Sequence, residues 1–396
     1  EVRDGGELDL TDSTLELAGP LYNSQGTGTI TTSASALSLK SNVKFEPGNN
    51  ATFATYEPNG WGMVLHNDSE NSSETINLSL GTTGVDLIIE PNTESLTSGF
   101  VNYYSPGKNW TLQTSPSTNH LTGVAYGNGT YVAVGNEGII YTSSDGTSWN
   151  TVTSGTANTL QNLTFANDTF VTVGNSGTIL TSTDGISWTS RTSGSSDTLI
   201  GIIYGNNTFV TVGNSGTILT STDGISWTSK TSGTSSSLQS ITHGNGIFVA
   251  VGESGTILTS SNGTTWTSRT SGITNFLIGA AYGNDTYVTV GSSGIILTSP
   301  DGTTWTTRTS GTSIDLRGVS YGSNRFVTVG GTGTILTSNN GSSWTSMSSG
   351  TTQHFSRVTR GNNNFAAVGN SGTIATASDG IYDDDSHGIG VKSYGV

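Results

Sequence analysis

Seven tryptophans stand 39 residues apart: Trp110, Trp149, Trp188, Trp227, Trp266, Trp305 and Trp344. Chance does not hold one spacing that often, so the chain carries an internal repeat. A fixed period of this length restricts the fold to architectures that use one supersecondary unit per copy. Trp61 is the one tryptophan outside the series.

One period reads as four short strands. In the copy from Leu199, the apolar run Leu199-Ile-Gly-Ile-Ile-Tyr-Gly205 predicts a first strand, A. After Asn-Asn-Thr, the alternating stretch Phe209–Gly213 predicts strand B, and after Asn-Ser-Gly, Thr217–Ser221 predicts strand C. Asp223-Gly224 is a hairpin signal, because glycine accepts the positive φ of such a turn, and Trp227–Ser232 follows as strand D. Neither a 3.6-residue apolar period nor a run of strong helix formers is present, so a helical solenoid is excluded. Four antiparallel strands per 39 residues is the size of a propeller blade.

The count of blades follows from where each strand recurs. Strand A begins near Leu121, Leu160, Leu199, Leu238, Leu277, Leu316 and Phe355, which makes seven. The tryptophan-marked strand also occurs seven times, but its series starts earlier, at Trp110, and Asp383 stands where an eighth tryptophan would fall. The first strand D therefore has no A, and the last A–B–C has no D. Lending the Trp110 strand to the last blade closes the ring and hides two sheet edges. The expected fold is all-β: a seven-bladed β-propeller over 99–382, a small β-rich domain over 1–98, and an acidic tail over 383–396.

Composition narrows function. The net charge is −15 with only 13 Lys and Arg, which does not supply the basic footprint of a nucleic-acid binder. There is no Cys, which excludes disulfides, thiolate metal sites and cysteine nucleophiles. No apolar run approaches the roughly 20 residues of a membrane helix. The chain begins at Glu1 rather than Met, as expected of a processed chain or a fragment.

The C–D hairpins carry Ser-x-Asp-Gly-x-x-Trp or a near variant, from Ser143 to Trp149 through Ser338 to Trp344, with Asn262 and Asn340 replacing Asp in two copies. This resembles the Asp-box, or BNR, repeat of sialidase-like and photosystem II assembly-factor-like propellers, shortened by one residue. It is also similar to repeats in virion structural proteins of tailed phages. On this reading Asp145, Asp184, Asp223, Asp301 and Asp379 order their turns by accepting backbone N–H bonds, and the tryptophans pack between repeats at the outer edge of the blades.

The sialidase resemblance implies an arginine triad at the ring centre, which the residues do not support. Arg191, Lys230, Arg269 and Arg308 each follow a repeat tryptophan by three positions and so lie on outer strands. Within the propeller, Glu occurs only at Glu137 and Glu253, three blades apart, too far for a paired-carboxylate glycosidase. His66, His120, His243, His354 and His387 show no metal-ligand spacing. The expectation is a protein that is not an enzyme and has neither cofactor nor metal.

A ligand is expected at the D–A and B–C loops. The D–A loops differ among copies while the strands repeat almost verbatim; His120, Asp197, Asn275, Phe276, Asp315, Arg317 and His354 are their distinctive side chains. Arg317, Arg325, Arg357 and Arg360, in the last two blades, form a basic docking candidate in an acidic protein. The leading expectation is a structural and adhesive component of a phage virion appendage, a tail fibre or surface decoration at an extracellular surface. It would oligomerise through residues 1–98 and contact neighbouring subunits, a receptor or a host-surface glycan. A secreted glycan-binding propeller and an assembly-factor-like protein binder are the alternatives.

Overall fold

The computed structural model describes residues 110–378 and, outside them, only the backbone of nine strands between Leu8 and Ile89. The chain divides into two compact units: Pro106–Tyr382, and Glu1–Ser105 together with Asp383–Val396.

Residues 110–378 form seven four-stranded antiparallel sheets arranged as a ring. The third blade is typical: Leu199–Gly205, Thr208–Gly213, Ile218–Ser221 and Thr228–Lys230. Strand A is innermost; each lies against the strand A of its neighbours, and that of the last blade lies against that of the first. The A–B connection is a tight turn in which Asn206 and Asn207 both have positive φ, the conformation a two-residue hairpin needs to match strand twist. Strand D holds three residues rather than the six expected, and the tryptophan precedes it. Its indole Nε1 donates to the Gly224 carbonyl at 3.1 Å, so Trp227 completes the turn instead of joining the ladder.

The ring closes through the chain's first propeller strand. Thr111–Gln113 pairs with Ile374–Ser378, opposing Thr111 to Thr376 and Gln113 to Ile374, and completes the seventh blade. Gln113 Nε2 donates to Thr376 Oγ1 at 2.8 Å, and Trp110 is buried among Val327, Val329 and Phe355. Between the last blade and the first, Tyr131 Oη donates to the Gly361 carbonyl, and Trp149 packs with Val368 and Ile374.

Each core is shared by two blades. Trp188, for example, packs in a cluster that joins Val132, Val134 and Ile140 of the first blade to Leu160, Phe170 and Leu180 of the second. The other described tryptophans repeat this with their own blade pairs. Beneath the indoles of Trp149 to Trp344 the C–D turn is tied by the side chain of its Asp or Asn. Asp223 Oδ1 accepts from the Ile225 and Ser226 amides, both at 2.8 Å, and from Ser221 Oγ at 2.8 Å. Asp145, Asp184 and Asp301 repeat the pattern, while Asn262 and Asn340 accept the same two amide bonds without a charge. Asp379 lies outside the described residues.

Among the nine strands of the other unit, Val43–Pro47, Thr52–Tyr56 and Gly62–Asn67 pair antiparallel. Asp86–Ile89 runs parallel to Gly62–Asn67 and Leu21–Asn23 parallel to Val43–Pro47, giving a five-stranded sheet.

Candidate functional site: the loop end of the ring

Strand A starts, and strand B ends, at the same end of the ring, where the D–A loops meet the B–C corners. Two backbone devices recur there in all seven blades. The residue before strand A offers its carbonyl to the first corner residue, from Asn136 on His120 to Asn370 on His354, at 2.8–3.0 Å. Glycine ends every strand B because that carbonyl comes so close: a Cβ on Gly213 would overlap the Thr198 oxygen. Next, the pairing of A with B slips by one residue after the first position, as between Leu121 and Gly123. The second residue of strand A is therefore a bulge, unpaired in the ladder and free to aim its side chain elsewhere.

This frame shows that several candidate residues occupy equivalent positions. His120, Phe276, Asp315 and His354 all immediately precede strand A, where the other blades hold Thr159, Thr198 and Ser237. Asp197 and Asn275 share the position before that, and their carbonyls accept from Gly177 and Gly255 of the preceding blade at 2.9 Å. In the sequence these side chains are distinctive one by one. Subtracting multiples of 39 from their numbers shows that they form one ring.

Their side chains divide into engaged and available. Asp197 Oδ2 accepts from Thr217 Oγ1 at 2.7 Å, and Asp315 Oδ1 accepts from the Ser293 amide of the preceding blade at 2.9 Å, so both carboxylates brace corners. Phe276 is 44 % exposed, a large apolar group presented to solvent, and His120 is exposed. His354 is half-buried and lies beside Gly331. Glu137 and Glu253 sit in the corners of the first and fourth blades.

The four arginines of the docking candidate do not form one patch. Arg317 and Arg357 lie at the start of strand A in the sixth and seventh blades, at the loop end. Arg325 opposes Gly322 and Arg360 opposes Phe365, both beside A–B turns at the opposite end of the ring. Along strand A, three steps separate Arg357 from Arg360 and five separate Arg317 from Gly322, the partner of Arg325, roughly 10 to 17 Å at the usual rise. Arg360 Nη2 donates to Asn363 Oδ1 at 3.2 Å and its stem covers Gly322. Elsewhere a ring covers that glycine position, as Tyr282 does Gly244 and His243 does Gly205. His243 is half-buried there, its Nε2 enclosed with no hydrogen-bond partner, and desolvation lowers its pKa, favouring the neutral form.

Arg317 occupies a bulge, and its Nε is buried with no hydrogen-bond partner. Arg357 donates through Nη1 to the carbonyls of Arg317 and Ser356, each at 2.9 Å. Burial, and then the like charge of Arg317, bring its pKa down to about 10, which leaves it protonated at neutral pH. Both residues are basic in the sequence, but only the strand register shows that Arg317 is the bulge of its blade while Arg357, one position further along, pairs with Val368. On strand D, Arg191, Arg269 and Arg308 instead donate through Nε to strand C threonines at 2.8–2.9 Å, outside the ring centre. Among the described residues, no group of His, Asp and Glu is placed to hold a metal ion, and no helix is long and apolar enough to cross a membrane.

No family model and no curated protein matches this chain. Solved structures do. YCF48 bound to D1 peptide is similar at a TM-score of 0.58 and 18% identity, over 72% of this chain and 99% of that one. Virginiamycin B lyase from Staphylococcus aureus, as a catalytically inactive variant with quinupristin, reaches 0.62 at 14% identity, over 68% and 99%. The WD40 β-propeller domain of Doa1 reaches 0.58 at 12%, over 68% and 97%. These neighbours include an enzyme as well as binding proteins, so the likeness is one of architecture: residues 110–378 are a seven-bladed β-propeller.

Proposed function

We propose that this chain is a non-enzymatic structural and adhesive protein of a virion appendage, such as a tail fibre or surface decoration. Its propeller contacts a receptor or a neighbouring protein subunit through the loop end of the ring. The observation that carries the reading is the ring of positions before strand A. There the backbone bond is the same in every blade, while the side chain changes from Thr or Ser to His120, Phe276, Asp315 and His354. A constant frame with varied side chains is how rigid scaffolds present binding residues. YCF48, a propeller of similar fold, is titled as bound to a peptide, which supports a protein segment as the occupant. A second reading, a secreted glycan-binding propeller, draws on Phe276, an exposed aromatic between Asn275 and Gly279 of the same blade start. Residues 1–98 are assigned to attachment and oligomerisation.

The test is to probe peptide and glycan arrays in parallel with the full chain. Specific peptide signals that fall at least about tenfold on Phe276→Ala or His354→Ala, the loss expected of an interface anchor, support the protein-contact reading. Signals confined to the glycan array would replace it with the second reading, and silence on both would overturn the contact face.

A further inference from the structure

The junction of the sixth and seventh blades departs from the repeat in a way that leaves a donor without an acceptor. In the second blade the bulge residue is satisfied within its own blade: Gln161 Nε2 donates to Oδ1 of Asn175, the first corner residue, at 2.9 Å. Asn136, Asn175, Asn214 and Asn370 hold that corner position in four blades. In the sixth blade the same pair of positions is Arg317 and Gly331. The donor has become a guanidinium and the acceptor has disappeared. The position two before strand A changes with them: Asn119, Asn158, Asp197, Ser236, Asn275 and Gln353 are polar, but the sixth blade has Ile314. Its Cγ2 stands 2.9 Å from where a Gly331 Cβ would be, with His354 Nδ1 at 3.7 Å.

The charge balance of this slot is one-sided. Arg357 adds a second guanidinium whose Nη1 is committed to carbonyl oxygens. Asp315, the acid nearest to Arg317 along the sequence, turns its Oδ1 to the Ser293 amide. Two adjacent cations, one with an unused buried donor, call for an anion, since an unpaired buried donor costs free energy that a charged acceptor recovers. A guanidinium edge matches two coplanar oxygens, the geometry of a carboxylate, and the methyl groups of Ile314 give the slot an apolar wall.

We propose that the junction of Arg317, Arg357 and Gly331 is a binding site for a carboxylate-bearing ligand. Arg317 is its hydrogen-bonding residue, Arg357 its second positive charge, and Ile314 its apolar wall. The assignment rests on the loop end being the contact face, and it identifies the chemistry that this face would anchor.

The test is calorimetric titration of the full chain with N-acetylalanine, with N-acetylalanine amide, and with inorganic phosphate. Saturable binding of the carboxylate and none of the amide is expected, weakened about tenfold or more by Arg317→Gln, as befits a charge-assisted bond. Arg191→Gln, on an outer strand, should leave it unchanged. The double variant Ile314→Asn with Gly331→Asn rebuilds the second-blade pair Asn158 and Asn175 and gives Arg317 an internal acceptor. It should keep the melting temperature and abolish binding. Equal response to acid and amide, retention in Arg317→Gln, or preference for phosphate would overturn the assignment. Carboxylate binding with silent arrays would instead count against the contact-face reading alone.

Discussion

At the scale of single residues, the turn aspartates show how a repeated side chain becomes a repeated stability term. Asp184 and Asp223 are held near a pKa of about 2, first by the amides of Ser187 and Ser226; Asp145 and Asp301 are lowered too, chiefly by Ser148 and by the Thr303 hydroxyl. An unfolded Asp titrates near about 3.9. Between these values the unfolded chain binds more protons than the native one, so stability rises with pH in that window. The contribution is complete above about pH 4 and is lost as pH falls toward about 2. Asn262 and Asn340 accept the same amides without titrating. Replacing Asp145, Asp184, Asp223 and Asp301 together by Asn should therefore keep the fold at pH 7 and flatten the fall in melting temperature between about pH 4 and 2. An unchanged acid profile would show that these turns do not carry it.

At the scale of the element, the blade is legible in the sequence to the extent that its signals are local. The 39-residue period, the apolar start of strand A, the alternating strand B and the Asn-Asn turn all depend on near neighbours, and they place Leu199–Gly205 and Thr208–Gly213 within a residue. Strand D is harder to read: the β propensity of Trp227 and of Thr231-Ser232 suggests a longer strand, whereas the indole binds back to Gly224. The bulge at the second residue of strand A has no local marker, because it arises where seven inner strands crowd together. That is why the candidate residues could be named from the sequence but not sorted. The register places Arg317 on the bulge of the sixth blade, where Arg357 Nη1 donates to its carbonyl, and leaves Arg325 and Arg360 at the other end. The glycine closing strand B is the most exacting position of the element. Its φ of −165° is ordinary, so the constraint is steric, set first by the Thr198 carbonyl and then by the Leu199 Cα. Gly213→Ala should cost about 1–3 kcal/mol or more, the range for forced overpacking, read as a lowered denaturant midpoint at unchanged slope. A midpoint at the wild-type value would mean the corner yields readily.

At the scale of the whole propeller, stability depends on a strand that comes from the wrong end of the repeat. Blade-sharing cores run around the ring, and the step from the seventh blade to the first is secured by Tyr131, by Trp149 and by Asn362, whose Nδ2 donates to the Ser144 carbonyl at 3.4 Å. Thr111–Gln113 and Trp110 complete the outer edge of the seventh blade. Without them Ile374–Ser378 becomes an open edge and part of the cluster around Phe355 loses its cover. Removing a large buried aromatic costs about 3–5 kcal/mol and each ladder bond about 1 kcal/mol, enough to move a melting temperature by on the order of 10 °C in a unit of this size. The most direct test compares two truncations, residues 106–382 and 115–382, by thermal unfolding and by sedimentation. The account predicts that the longer form melts as one cooperative monomeric ring. The shorter should melt on the order of 10 °C lower and associate through its exposed edge. Equal melting temperatures with both forms monomeric would contradict a ring closed by its first strand.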